Sequence, residues 1–507
     1  MALFAGLDLG TTGCKAGFFT AAGEPRGMAY REYPVRCPAP GLAEQDANLV
    51  WETLLTVLGE AVAALRAAGR DPAEVRAASL SVQGDAVIPV DRRGDPLGPA
   101  LLGMDRRNLA EAAELAERIG RERLFGLTGM PAHPVSALTK MMWLARHHPR
   151  AGEIAGFWHY EEFILNRLCG RALTDYSMAS RSLAFALRDR EYSSAVLAAA
   201  GIDRELLAEA APSGTIAGEI RPALAAELGL PRGMLLVTGG HDQVCAAVGA
   251  GVVREGLAVD STGTAEVVAA ALDRPLLGPE MLAGEYPCYL HAVPGMYFTI
   301  SLNQGGGISL RWLRDNLARA EAAEAAAAGQ DAYDYLTRDL PGGPGRVIFL
   351  PHLVGGGTPH GDQRTKGAFL GLTLAASVKD LVLAVLEGLT YELRVNLEAL
   401  ARAGLRVAHL RVVGGGARSD RWLQLKADIT GCTVETLRVR EAALLGAALI
   451  AATVCGEYPS LMDAAGRAVS VDRTFAPDPA LREAYDRHYE IYRRVYPALR
   501  EIHHALG

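Results

Sequence analysis

Two short turns far apart in the chain echo each other and constrain the fold more than any other feature. Asp8-Leu9-Gly10-Thr11-Thr12 follows the apolar run Leu3–Leu7, and Asp260-Ser261-Thr262-Gly263-Thr264 follows Gly256–Val259. In each, an acidic residue ends a strand-like run and a Gly/Thr turn leads into a second one. Such a turn presents backbone N–H groups and hydroxyls to an anion, the chemistry a phosphate needs. Between them lies Gly239-Gly240-His241-Asp242-Gln243, and downstream Gly414-Gly415-Gly416-Ala417 precedes a helical pattern. Two phosphate-type hairpins, an isolated aspartate and a helix-opening glycine triplet together predict a nucleotide held between two related lobes.

The length, 507 residues, accommodates two large domains. A net charge of −7 argues against a general nucleic-acid or membrane-surface binder, which would carry a basic bias. The seven cysteines are scattered and form no CxxC pair, as expected of reduced thiols in a cytoplasm rather than of a disulfide framework or zinc site. No basic stretch precedes the amino-terminal apolar residues, so no signal peptide is expected. The apolar run Ala442–Cys455 is 14 residues, short for a membrane span and suited to a buried helix.

Ala2–Leu9 and Cys14–Thr20 read as a hairpin, followed by a helix capped by Asp46 or Asn48 with Trp51, Leu54, Leu58 and Val62 on one face. Residues 105–235 read as mostly helical. Leu235–Thr238 reads as a strand entering a Gly-Gly-His-Asp-Gln turn, and Val244–Gly251 as a connecting helix. The strand pattern restarting at Gly256 places a boundary near 243–255, dividing the chain into lobes 1–243 and 244–507. Leu410–Val413, a glycine turn and Asp420–Thr430 form a β-turn-α unit. Tyr485, Tyr489, Tyr492 and Tyr496 recur at helical spacing, a packing face.

Several residues carry candidate chemistry. Asp8, at a strand end, is placed to serve Mg²⁺, a hard cation that favours carboxylate and water oxygens. Gly10, Thr11 and Thr12 would meet phosphoryl oxygens, with Lys15 a nearby point charge. Asp242 can accept a proton from an attacking alcohol, with Gln243 beside it, or can cap the following helix. Gly263 and Thr264 would face the phosphates from the opposite lobe. Gly305-Gly306-Gly307 and Gly415-Gly416 allow backbone to approach a flat or anionic ligand. His352, His360 and Asp362 match no zinc spacing and read as a solvated loop. The chain has neither a GxxxxGK[ST] nor a GxGxxG run.

Taken together these residues resemble the FGGY carbohydrate kinases, the family that includes xylulokinases, ribulokinases and glycerol kinases. The similarity runs from Gly6 to about Ala452. Its most specific segment is Gly367, Phe369, Gly371 and Leu372, followed by Asp380-Leu381 and Ala384-Val385-Leu386-Glu387. Lys140–Trp143, Trp422, Gln424, Asp428 and Gly446–Ala448 extend the match. The resemblance implies an α/β fold of two actin-like (ribonuclease-H-like) ATPase lobes with a cleft between them. It also implies transfer of phosphoryl from MgATP to a hydroxyl of a small sugar or polyol, and a possible homodimer. Asp242 would be the base, Asp8 with Asp242 the metal side, Thr12 and Thr264 the phosphate side. Gly307, Gly415 and Ser419 would border the adenosine.

The departures from the family concern the acceptor. Gln83-Gly84-Asp85-Ala86 stands where xylulokinases tend to carry Gln-Met-His-Gly, and Gly103 replaces a frequent Trp two residues before Asp105. Ala137 replaces a small polar residue or Pro. Gln83, Gly84, Asp85, Asp105, Asp242 and Gln243 are expected to form the acceptor site. A pentulose such as xylulose or ribulose is the first expectation. A hexulose, tetritol or glycerol remains open, as does an actin- or chaperone-like ATPase without a sugar substrate.

Overall fold

The computed structural model describes residues 2–506. Two large mixed sheets organise them, and only the strands of these sheets are numbered here. The first is built from β1 (Leu3–Leu9), β2 (Gly13–Thr20), β3 (Pro25–Glu32), β4 (Val75–Val82), β5 (Ile216–Glu219) and β6 (Leu235–His241), in the order β5-β6-β4-β1-β2-β3. The second contains β7 (Leu257–Thr262), β8 (Glu266–Leu272), β9 (Tyr289–Leu290), β10 (Tyr297–Asn303), β11 (His409–Gly414), β12 (Thr433–Leu437) and β13 (Val471–Phe475), in the order β9-β10-β8-β7-β11-β12-β13. Both repeat one topology. A hairpin (β1–β2, β7–β8) has a strand added parallel to its first member, β4 on β1 and β11 on β7. The expected two-lobe α/β architecture is therefore the observed one.

Period-two alternation explains how the first sheet is covered on both faces. Leu3, Ala5, Leu7 and Leu9 point into one core with Leu54, Val57, Leu58 and Leu65 of helix α1 (Ala47–Ala67). Phe4 points into the other core, with Leu444, Leu445 and Leu449. Asp8 has the parity of Phe4 and so leaves the strand on that second face. Asp46 rather than Asn48 caps α1, its carboxylate accepting from the Asn48 and Leu49 N–H groups.

Two further expectations need correction. Gly239, Gly240 and His241 are not a turn: β6 continues through them, and helix α2 (Asp242–Gly249) begins at Asp242. The pairing of β6 with β4 shifts register between Val237 and Gly240. A Cβ on Gly239 would lie 1.6 Å from the Leu80 carbonyl oxygen, so glycine lets the strand run on past that irregularity. Residues 105–235 are not mainly helical, because short strands at Gly156–Trp158, Leu173–Asp175 and Glu209–Ala211 interrupt the helices.

The lobes meet where α2 crosses helix α6 (Ala442–Val454), which also packs on β1, β4 and β6. The apolar run noted in the sequence is thus a helix buried all round, as its composition predicts. Side chains are missing where the axes approach. A Cβ on Gly249 would lie 1.8 Å from the Ala442 carbonyl oxygen, and one on Gly446 1.9 Å from that of Cys245. Gly6 of β1 admits the same helix, with Leu444 O 2.0 Å from its absent Cβ.

Gly446→Ala should therefore destabilise the protein by about 1–3 kcal/mol through overpacking. Gly466→Ala, in the helix Leu461–Ala468 with open space around it, should be neutral or mildly stabilising. Urea midpoints of the two variants check this, and equal midpoints would remove the proposed backbone contact.

Candidate active site

Parallel pairing brings three strand ends to one level. Asp8 on β1 is opposite Ser81 on β4, and Ser81 is opposite Gly240 on β6. The Ser81 hydroxyl donates to Asp8 Oδ1 at 2.7 Å. Two residues past Gly240, Asp242 opens α2, and its Oδ1 accepts from the Gln243 N–H at 2.6 Å. It is the first helical residue, with His241 at the N-cap position, so it does not cap a helix beginning at Val244 as one sequence reading has it. Burial pushes its carboxyl up to about 7, and the Asp8 charge adds to this, while the Gln243 N–H and Arg181 oppose it. Asp8 is also raised, chiefly by burial.

His241 was not singled out by its sequence context, yet it completes this corner. Its Nε2 lies 3.1 Å from Asp242 Oδ1, and its Nδ1 is 3.2 Å from the Tyr289 hydroxyl. Burial holds its pKa well below the ordinary value, so the ring is neutral. The signal available was its place between Gly240 and Asp242.

Thr11, Gln83, Gly84, Asp85, His241, Asp242 and Gln243 line one polar hollow of about 210 Å³. Gln83 serves mainly to hold the first turn: its Nε2 donates to Gly10 O and Gln45 Oε1, and its Oε1 accepts from the Thr11 hydroxyl. Gln45 Nε2 donates to Thr11 O at 2.9 Å, and the Tyr33 hydroxyl to Gly10 O at 2.7 Å. Neither Gln45 nor Tyr33 was anticipated. Thr12, in the same turn, is exposed.

Two expected residues are engaged elsewhere. The Asp105 carboxylate is fully buried and accepts from Ala43 N, Arg107 N, Arg107 Nε and Arg107 Nη2, so no free acceptor oxygen is left for a sugar. Lys15 reaches across the lobes to Glu441 at 2.6 Å, making it an inter-lobe tie rather than a free charge for phosphate.

A second hollow of about 330 Å³ collects Gly263, Thr264, Gly307, Gly415, Gly416 and Ser419, all expected at a nucleotide. Close packing explains the glycines. A Cβ on Gly416 would lie 2.9 Å from the Thr262 side chain, and Gly414 has φ +81° with Thr262 O 2.5 Å from its absent Cβ. Gly307 N donates to Gly263 O, and Ile308 N to Thr264 O, so helix α3 (Gly306–Asn316) docks its first turn on the hairpin. Ser419 caps helix α5 (Asp420–Thr430) by accepting from Trp422 N. Asp331, Tyr333 and Thr337 form a wall that the sequence did not single out.

The hairpin β7–β8 supplies both hollows, with Thr264 in the second and Val267 in the first. It is anchored by Lys426 of α5, fully buried, whose ammonium meets Asp260, Glu266 at 2.7 Å and the Thr262 hydroxyl at 3.0 Å. A third, wider hollow of about 600 Å³ adjoins the first, sharing Gly103, Met104 and Ile300.

The segment with His352, His360 and Asp362 is not a solvated loop. His352 is buried between Thr365 (3.1 Å) and Glu392 (3.5 Å). Asp362 is held by His504 and Tyr496 of the C-terminal helix. Among the described residues no group of three or more His, Cys, Asp and Glu is arranged to hold a metal.

Comparison with known proteins agrees with this geometry. Residues 3–249 match the N-terminal domain, and residues 258–455 the C-terminal domain, of the FGGY family of carbohydrate kinases. The chain is 26% identical to a xylulose kinase of Bacillus subtilis (strain 168) over 99% of its own length and 98% of the relative's. It is 28% identical to a gluconokinase of Bacillus licheniformis over 99% and 95% of the two lengths. A solved structure of a xyloylose kinase from Brucella ovis superposes with a TM-score of 0.87 at 29% identity, covering 99% of this chain and 100% of that one. Two matched domains over most of the chain favour a carbohydrate kinase over a sugar-independent ATPase. The chain belongs to the FGGY family of carbohydrate kinases, ATP-dependent phosphotransferases that take an alcohol group of a sugar or polyol as acceptor.

Proposed function

We propose that the acceptor is a small ketose or polyol, a pentulose first, and that Asp242 is the general base of the transfer. The observation that carries this reading is the position of Asp242. It lines the polar hollow, it stands beside Asp8, and its carboxyl is raised to about 7, near the pH at which a base must work. The acceptor would lie in the hollow of about 210 Å³ and the nucleotide in that of about 330 Å³, with the β7–β8 hairpin between their walls. As the acceptor hydroxyl attacks the γ-phosphorus, its proton passes to Asp242 and the bond to the β-phosphate oxygen breaks, releasing ADP. His241, neutral and 3.1 Å from Asp242, orients the carboxylate. Closure of the lobes would exclude water as a competing acceptor.

A magnesium ion fits here. Asp8 and Asp242 are two close carboxylates, each raised by burial, and a cation would relieve their repulsion. A pair without a third ligand suits Mg²⁺, which retains waters and takes phosphate oxygens. When bound, the ion would neutralise charge on the transferring phosphoryl group. The seven thiols, all free, suit the reducing cytoplasm in which we place the enzyme.

A coupled ADP-release screen over pentuloses, hexuloses, tetritols and glycerol tests the acceptor. Activity confined to a hexulose or to glycerol would overturn the pentulose reading. Asp242→Asn should lower turnover on the order of 10²–10⁴-fold while ATP binding, read by calorimetry, persists. Near-normal turnover would remove Asp242 as base.

The same variant has a stability signature. Burial raises the Asp242 carboxyl from its ordinary 3.8 to about 7, so between these limits this group binds more proton in the folded state than in the unfolded one. Its contribution to stability, without metal or nucleotide, therefore falls as pH rises from about 4 to about 7. Asn carries no such proton, so the variant should gain in melting temperature relative to wild type between pH 5 and pH 8. A constant difference across that range would contradict the raised carboxyl.

A further inference from the structure

Arg181 ends the short helix Tyr176–Arg181 and lines the wider hollow. It is 6% exposed, and its Nη2 donates to Asp85 Oδ2. Its guanidinium lies against the Tyr289 ring, 4.9 Å from the centroid. Asp85, 3% exposed, holds its carboxylate there from a backbone with φ +64°, a conformation unusual for a residue other than glycine. The neighbouring Gly84 is required, since a Cβ there would lie 2.7 Å from the His241 ring and 3.0 Å from Arg181 Nε.

The ion pair is only half satisfied. Apart from the Tyr289 hydroxyl, which interacts with the guanidinium, Arg181 Nε and Nη1 and Asp85 Oδ1 are buried without a hydrogen-bond partner, and so is Gln243 Oε1 close by. Unmet groups of this kind are costly in a folded interior. Here they border the space where an acceptor must sit: Asp85 and Gln243 line the polar hollow and Arg181 lines the wider hollow that adjoins it. Free donors on one member and a free acceptor on the other match a pair of neighbouring hydroxyls, each of which both donates and accepts.

A sugar acid fits less well. A carboxylate brought to Arg181 would also face Asp85, whose charge already compensates the guanidinium. Lys140, the other buried cation near the pair, is turned to the Pro134 and Val135 carbonyls, and Arg106 stands exposed in the wider hollow.

We infer that the Arg181–Asp85 pair is the specificity element of the acceptor site, reading two adjacent hydroxyls of a neutral polyhydroxylated acceptor and disfavouring an aldonate. This rests on the kinase reading above and adds its acceptor-recognition residue.

The test measures ADP release from the full-length enzyme with xylulose, xylitol, glycerol and gluconate as probes. Turnover of xylulose or xylitol at a kcat/KM at least about 100-fold above that of gluconate is expected, because a site built for hydroxyls penalises an analogue that cannot satisfy it. Arg181→Lys keeps the charge opposite Asp85 but loses the planar donors. It should raise KM for the better probe about tenfold or more, with KM for ATP within about twofold. Removing one hydroxyl of that probe should cost on the order of 100-fold in the wild type and little further in Arg181→Lys, a loss of additivity that a merely structural role would not produce. Gluconate as the preferred acceptor, or an unchanged acceptor KM in Arg181→Lys, would overturn the inference and leave the kinase reading standing. Absence of ADP release with every probe, in a protein that binds ATP, would instead bring down the proposed acceptor class and the inference with it.

Discussion

The arrangement depends on a contact between two backbones. Helices α2 and α6 cross so closely that neither Gly249 nor Gly446 has room for a methyl group, and Gly6 lets the same helix settle onto the first sheet. This contact fixes one lobe against the other without side chains that could repack. It also sets the chemistry, because α2 begins at Asp242 and α6 follows directly on Glu441, the partner of Lys15. The proposed base and the inter-lobe tie are therefore placed by the two ends of one crossing.

The two hairpins that echo each other in sequence have diverged in what surrounds their acids. Asp8 keeps a single hydroxyl partner, Ser81, and remains near Asp242. Asp260, its counterpart, shares the buried Lys426 ammonium with Glu266. A pair of buried carboxylates is tolerated there because the ammonium lies between them, and losing one partner of such a cluster is generally costly. The same motif thus leaves its acid beside Asp242 in one lobe and ties it to an ammonium in the other.

Much of this was legible in the sequence because it rests on local pattern. Strand, turn and helix signals around Asp8, Asp260 and Gly414 located the hairpins and the glycine triplet, and Gly414 and Gly416 lie at real close approaches to Thr262. What escaped was long-range pairing. Nothing near Asp105 announces that Arg107 and the Ala43 N–H consume its oxygens, or near Lys15 that Glu441 lies opposite. The glycines before Asp242 suggest a turn, whereas they let a strand continue past a register shift against Leu80. His352 and Asp362 looked like loop residues because their partners, Glu392, Tyr496 and His504, come from helices far along the chain.

The missing side chain at position 84 has a consequence for its neighbours. Any larger residue there would displace the His241 ring and the Arg181 guanidinium together, since both lie within 3.0 Å of where its Cβ would stand. A side chain at 84 therefore requires the imidazole and the guanidinium to shift, so a substitution there is coupled to positions 181 and 241 rather than independent of them.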